Sequence, residues 1–369
     1  SKKARIYDVE NFSLTYSRNE LTSRNISLKE RTTIDTRAGL TYNFSSAPKN
    51  IKPFSKVKLF KNKYFRLLRD FNFYTRPKSI SFQTDLNRYY NKTQFRNINS
   101  NFVLDPSYSK GFLWNRNYSV KYDLTRTLKT EFKVRNSASI DEPYGEISKL
   151  DPFYQEKRDT IWNNLINFGR PTIYHHDINV SYNVPINKFP LTNWISLTTK
   201  YSASFDWIAA PVAIQRFGNT IQNNNSKQIN STFNLTQLYK KVPYLNKVNK
   251  KLNSQNRPGR NGSRNAIILP PDQDTVRLSF KDYLDYAANF AMMVKNVSVS
   301  YSQNHGTVLP GFSPKPGFFG QDWSQLAPGI PFALGVQNLG IDTISGDNGW
   351  LTSDTTLNQY SRNNNSETL

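Results

Sequence analysis

Leu128-Lys129-Thr130-Glu131-Phe132-Lys133-Val134-Arg135 decides how this chain is read. Successive side chains of a β-strand point to opposite faces. One face of this stretch therefore carries Leu128, Thr130, Phe132 and Val134, and the other carries Lys129, Glu131, Lys133 and Arg135. The pattern repeats at Ile178-Val180-Tyr182-Val184 against Asp177-Asn179-Ser181-Asn183. It repeats again at Leu197-Thr199-Tyr201-Ala203-Phe205-Trp207 against Thr198-Lys200-Ser202-Ser204-Asp206. A strand crosses a bilayer in about 9–11 residues. The runs approach or meet that length, and several apolar faces end in an aromatic. Their bland reading is a soluble β-sandwich, which predicts shorter strands and loops of similar size at both ends.

Working outward, the next runs are Phe12-Leu14-Tyr16, Ala38-Leu40-Tyr42-Phe44, Ile80-Phe82-Leu86 running to Arg88-Tyr89-Tyr90, Tyr118-Val120-Tyr122-Leu124, Ile229-Ser231-Phe233-Leu235, and Met293 through Val297-Val299-Tyr301. About nine strands result. The short connection Asp123–Thr127 makes a tight hairpin, and the turn Ile186–Asn193 makes a second. Polar loops are expected between the first two runs and over residues 141–172. In the latter, Trp162, Phe168 and Gly169 suggest packing. Residues 304–369 hold many Gly and Pro with little alternation and read as one long extracellular loop.

Two inserts break the period. Val57, Phe60, Tyr64, Leu67 and Phe71 recur at helical spacing within residues 46–76, beside Lys56, Lys61 and Lys63. Leu235, Leu238, Val242, Leu245, Val248 and Leu252 do the same within 237–290, beside Lys240, Lys247 and Lys251, with Pro243 placed to break or restart the helix. Asn256–Asn265 reads as a mobile Gly/Asn/Arg-rich stretch. Counted from the first strand, both inserts and both tight turns fall on one side, and the polar or acidic loops fall on the other. That is the asymmetry of an all-β, antiparallel transmembrane barrel with short periplasmic turns. Residues 1–303 then form an arc of such a barrel. Phe132, Val134, Val180, Tyr182 and Phe205 would face lipid, and Lys129, Glu131, Lys133 and Arg135 would face the lumen. The six insert lysines would contact the anionic inner leaflet. An odd count cannot close an even-numbered barrel, so the arc reads as part of a larger one.

Composition agrees. The 369 residues carry a formal charge of +22, 14% aromatics and no cysteine. Mean hydropathy is −0.66, which a polar lumen face would produce. No apolar stretch is long enough for a transmembrane helix. Absent cysteine removes disulfides, Cys-ligated zinc and thiol nucleophiles. The chain opens at Ser1 without a charged, apolar leader and reads as an internal piece of a longer protein. A charge of +22 raises nucleic acid as a partner, with Arg257, Arg260 and Arg264 in a Gly/Asn context. The basic residues cluster beside the amphipathic inserts instead of spreading over a sheet face, which argues against it.

Enzyme chemistry finds little support. His175 and His176 are strand neighbours that point to opposite faces, so they do not share a metal. No phosphate-loop, dinucleotide, zincin or nucleophile-elbow motif occurs. Asp141-Glu142 could hold a divalent cation, though a solvated loop explains them more simply. No catalytic group, metal or cofactor is expected.

Several segments resemble the SprA (Sov) family, the outer-membrane translocon of the type IX secretion system. They are Tyr7-Asp8-Val9-Glu10-Asn11-Phe12-Ser13-Leu14-Thr15-Tyr16, Leu67-Leu68-Arg69-Asp70-Phe71-Asn72-Phe73, Arg88-Tyr89-Tyr90-Asn91, Phe112-Leu113-Trp114-Asn115-Arg116-Asn117-Tyr118, Pro190-Leu191-Thr192-Asn193-Trp194, and Leu309-Pro310-Gly311-Phe312 with Gly320-Gln321-Asp322. The resemblance implies a very large barrel exporting folded cargo proteins, and serving gliding motility in gliding bacteria. It implies as partners the remainder of the barrel, a shuttle barrel of the PorV type, a periplasmic plug, a peptidyl-prolyl isomerase-like accessory protein, secreted cargo and outer-membrane lipids. A smaller porin or nutrient-uptake channel, and a soluble basic β-rich nucleic-acid-binding protein, are the alternatives.

Overall fold

The computed structural model describes residues 5–58, 62–97, 102–248, 280–337, 340–354 and 361–369. The expected mobile stretch 256–265 lies outside them. Ten strands form one antiparallel sheet in chain order: β1 (Phe12–Ser23), β2 (Leu28–Ser45), β5 (Ser79–Phe95), β6 (Ser107–Asp123), β7 (Leu128–Ser139), β8 (Arg170–Val184), β9 (Ile195–Ile208), β10 (Asn219–Asn234), β11 (Asn296–Phe312) and β12 (Arg362–Thr368). A small pair, β3 (Asn50–Ile51) and β4 (Phe73–Tyr74), stands apart. The large sheet is not closed: β1 and β12 each have a single neighbour.

Nine of the ten strands contain the alternating runs. The tenth, β12, falls in the span expected to be loop, and β11 likewise runs on through His305 to Phe312. The count is thus even, and the parity argument for an arc fails. The openness of the sheet rests instead on its two unpaired edges. The strands are also longer than the apolar patterning suggested. β1 and β2 absorb most of the expected polar loop and meet in a turn at residues 24–27. At about 3.4 Å per residue the 18-residue β2 is roughly 60 Å long.

We call the end where β1 turns into β2 the upper end. Lower connections are 46–78, 124–127, 185–194 and 235–295. The turn at 124–127 is pinned by the Leu128 amide donating to Thr125 Oγ1 at 2.9 Å. The first insert is not one helix. Among its described residues it carries a 3-10 turn at Lys63–Phe65 and α1 (Arg66–Arg69). β3 pairs with β4 to tie the two ends of the insert together, and the Phe71 ring contacts Phe54 and Phe73. The aromatic spacing therefore serves a folded-back loop instead of a helix stripe. The second insert begins with α3 (Leu235–Tyr239), restarts as α4 (243–248) with Pro243 at its first position, and returns through α5 (Phe280–Met292).

The upper loop 140–169 contains α2 (Tyr154–Ile166), and its Trp162 is 60% exposed instead of packed. Residues 313–337 and 340–351 follow β11 and carry α6 (Ile330–Ala333) and α7 (Ile341–Asp347). They fold back onto one face of the sheet. There Phe332, Ile341, Ala327 and Trp350 join Tyr174, Phe205, Trp207, Ile221, Leu309 and Phe312 in the main core cluster. We call this segment the cap.

Candidate functional site

The strand registers settle which residues share a face. Lys129, Glu131, Lys133 and Arg135 stand opposite Ser181, Asn179, Asp177 and His175 of β8. Toward β6 they meet Asp123, Lys121, Ser119 and Asn117. The same face continues through Lys200, Ser202, Ser204 and Asp206 of β9 to Lys227's neighbours Ser226 and Gln228 and to Gln222 and Asn224 of β10. It is a face of polar side chains of mixed sign. Glu131 Oε1 forms ion pairs with Lys121 at 3.3 Å and Lys133 at 3.1 Å. His175 bridges Asp206, 2.6 Å from Nδ1, and Asp177, 3.0 Å from Nε2. Gln222 donates to the other oxygen of Asp206 at 3.1 Å. A hollow of about 390 Å³ on this face reaches from Asn43 and Gln83 across Asn117 to Lys133, Arg135 and Asp177. The four residues expected to face a lumen are therefore brought together on one hydrophilic trough.

The opposite face holds the residues expected to face lipid. Phe132, Val134, Val180 and Tyr182 share it and are half-buried by their strand neighbours. It continues through Phe82, Tyr118 and Val120 on one side, and through Ile229, Val297 and Val299 on the other. Phe205 is on the same face but is corrected: it has no exposed surface. The cap lies on it, with Phe332 edge-on at 6.2 Å between ring centroids. The covering reaches Phe132, whose ring is 4.9 Å from that of Phe319, and Val134, which packs on the same core.

Two glycines make this closeness possible. A Cβ on Gly320 would sit 2.4 Å from the Phe205 ring, and one on Gly335 would sit 2.6 Å from the Ala203 Cβ. Both glycines also have positive φ, 69° and 84°. Sheet side chains then donate to the cap's backbone. His176 Nε2–H reaches the Ala333 carbonyl at 2.6 Å, Tyr201 Oη reaches Leu334 at 2.6 Å, and Asn223 Nδ2 reaches Phe332 at 3.0 Å and Val336 at 3.3 Å. Asn225 donates to Gly335. Buried polar groups need such partners. Of these donors, Asn223 and Asn225 were not singled out from sequence, and His176 and Tyr201 were placed on strands without this role. Asn223 and Asn225 stand on the apolar side of β10 beside Phe205 and Ala203, where a polar cover satisfies them, while Lys227 further down the same face is exposed.

The paired histidines separate as expected, with His175 on the trough and His176 buried beneath the cap. The acidic pair is not open to a cation. Glu142 is buried between Arg88 and Lys110, and Asp141 takes two bonds from Arg170 at 2.9 and 3.0 Å. The Arg170 bond, more than any other influence, holds the Asp141 carboxyl below its ordinary value. Of the insert lysines, Lys56, Lys240 and Lys247 are exposed on lower connections, and Lys63 opens the 3-10 turn. Lys61 and Lys251 lie outside the described residues.

No family model matches the chain, and no curated protein matches it as a relative.

Proposed function

We propose that this chain is an arc of a transmembrane β-barrel in the outer membrane, one wall of a channel that conducts folded proteins. What carries the reading is the two-faced sheet: a hydrophilic trough on one side, and on the other an apolar surface left open below the cap. A pore for folded cargo needs no catalytic group. It needs a wide, wet wall to which cargo does not stick, and side chains of mixed sign supply that. A lipid-facing surface needs a band of apolar side chains; on this face Tyr118, Val120, Ile178, Val180, Tyr182, Val184, Ile229, Phe233, Val297 and Val299 supply them, with Lys227 among them on β10. The unpaired edges at β1 and β12 are hazards in isolation and are explained by further strands of a larger wall. The resemblance to the SprA (Sov) translocon of type IX secretion supports the same reading. In that reading the shuttle barrel, plug, isomerase-like protein and cargo are its partners, and gliding motility depends on it in gliding bacteria.

Extraction of native membranes tests the reading first. The protein containing this chain is expected to stay in the outer-membrane pellet through high-salt and alkaline washes, and release by either wash overturns a spanning wall. Planar-bilayer recording then tests the channel. Very large unitary conductance once the channel is unplugged fits a protein conduit, and porin-sized steps overturn it.

A further inference from the structure

We infer that α5 is an interfacial helix whose apolar face is immersed in the lower lipid leaflet beside the sheet. The inference rests on the membrane reading above. Phe280, Tyr283, Leu284, Phe290 and Val294 are 78%, 59%, 46%, 77% and 49% exposed. Of these, Phe280, Tyr283, Leu284 and Phe290, with Ala287 and Ala291, also exposed, fall within roughly 120° of the helix circumference, the width of an apolar stripe that ordinarily faces a core, and Val294 follows just past the helix end. Here it faces outward.

The opposite side is the one that packs on protein. Ala288 is buried and the Asp285 carboxylate accepts from Tyr244 Oη at 2.7 Å, while at the C-terminal end Tyr239 Oη donates to the backbone carbonyls of Ala291 at 2.9 Å and of Val294, just past the helix, at 3.0 Å. The helix is thus held through Ala288, Asp285 and its C-terminal carbonyls, and its apolar side chains are presented outward. An apolar face of this size on a water-facing surface is unusual.

Two observations name lipid as the occupant. The exposed apolar surface runs on along the chain through Val294 into β11. There Val297 and Val299 stand 38% and 42% exposed on the same side of the sheet as Val180. Exposed Lys240 and Lys247 lie on the preceding limb of the same insert, and cations there suit the anionic headgroups of that leaflet. The apolar face of such a helix sinks about 5–10 Å into the boundary between headgroups and acyl chains.

Single cysteines carrying an environment-sensitive fluorophore test this in the assembled protein. Leu284→Cys and Phe290→Cys probe the helix, Val180→Cys probes the apolar face of the sheet, and Lys200→Cys probes the trough. The vesicles contain phosphatidylethanolamine and phosphatidylglycerol with brominated acyl chains. The expected result is loss of most fluorescence at 284, 290 and 180, with little loss at 200. Quenching at 180 but not at 284 and 290 overturns the interfacial helix and leaves the spanning wall standing. Quenching at 284 and 290 but not at 180 upholds the helix as a surface anchor and overturns the wall. No quenching at any of the three overturns both.

Discussion

Val180 and Phe205 lie on the same side of the same sheet, on neighbouring strands, yet one is only half-buried and the other has no exposed surface. Below the row of Phe132 the cap reaches the apolar face only through Tyr201, and Tyr122 meets the lower insert at the Tyr74 carbonyl; among the described residues the side chains between them stay partly exposed. Above it, from β8 to β11, the same face is roofed by residues 313–351. Alternation specifies which side chains share a face. What that face meets is decided by chain that arrives from elsewhere, here more than a hundred residues later. The covered part behaves as the core of a water-soluble domain. The open part is the surface that the proposed wall would turn to lipid.

The largest expected effect probes the covered half. Phe205→Ala removes the ring against which Gly320 and Phe332 pack, and comparable buried Phe truncations cost about 3–5 kcal/mol. Limited proteolysis is expected to cut within 313–351 while the sheet resists. Equal resistance of mutant and parent breaks the claim that this ring holds the cap.

The open half responds to charge. Val180→Arg near the middle of the apolar band is expected to cost about 2–4 kcal/mol and to lower the amount of heat-modifiable, assembled protein in membranes. Lys133→Gln on the trough removes one of two cations on Glu131. An exposed pair of this kind contributes about 0–1 kcal/mol, so assembly should stay intact. Equal defects from the two substitutions would reverse the assignment of the faces.

Gly335→Ala sharpens the boundary between the halves. Its positive φ and the Ala203 contact make any Cβ costly, at about 1–3 kcal/mol. Faster hydrogen exchange at Phe332–Val336, with β9 unchanged, is the expected readout. The smallest effect is electrostatic. The Asp141 carboxyl is lowered by Arg170, so the pair's contribution is complete above the ordinary carboxylate value of 3.8. It is lost as pH falls through the lower folded value. The loop at 140–150 should therefore keep its exchange protection from neutral pH to about 5 and loosen only in stronger acid. Asp141→Asn should erase that acid transition.

The strands were legible wherever one face was apolar, because period-two patterning is then visible. That covers Phe12–Tyr16, Ile80–Leu86, Leu128–Val134 and Leu197–Trp207. It fails at Arg18–Ser23 and at β12, whose Arg-Asn-Asn-Asn-Ser-Glu-Thr contains no apolar residue. There both faces are polar, and the strand is held by backbone bonds to β11, which leave no trace in side-chain order. The trough residues were legible for the same reason as the strands. The cap was not, because its contacts come from single turns around Gly320 and Gly335. Nor was α2, whose thirteen residues lack an apolar face that sequence could reveal.

One detail of the cap has a consequence for how such sequences can drift. Phe332, Ala333, Leu334, Gly335 and Val336 are held through five consecutive carbonyls, by Asn223, His176, Tyr201 and Asn225. A carbonyl is the same group whichever side chain its residue bears. The exposed positions of this stretch, such as Val336, are therefore free to vary among relatives, while the four donors and Gly335 are not. Homologues of this chain should be recognisable by an invariant set of donors on the sheet facing a partner segment of changing letters.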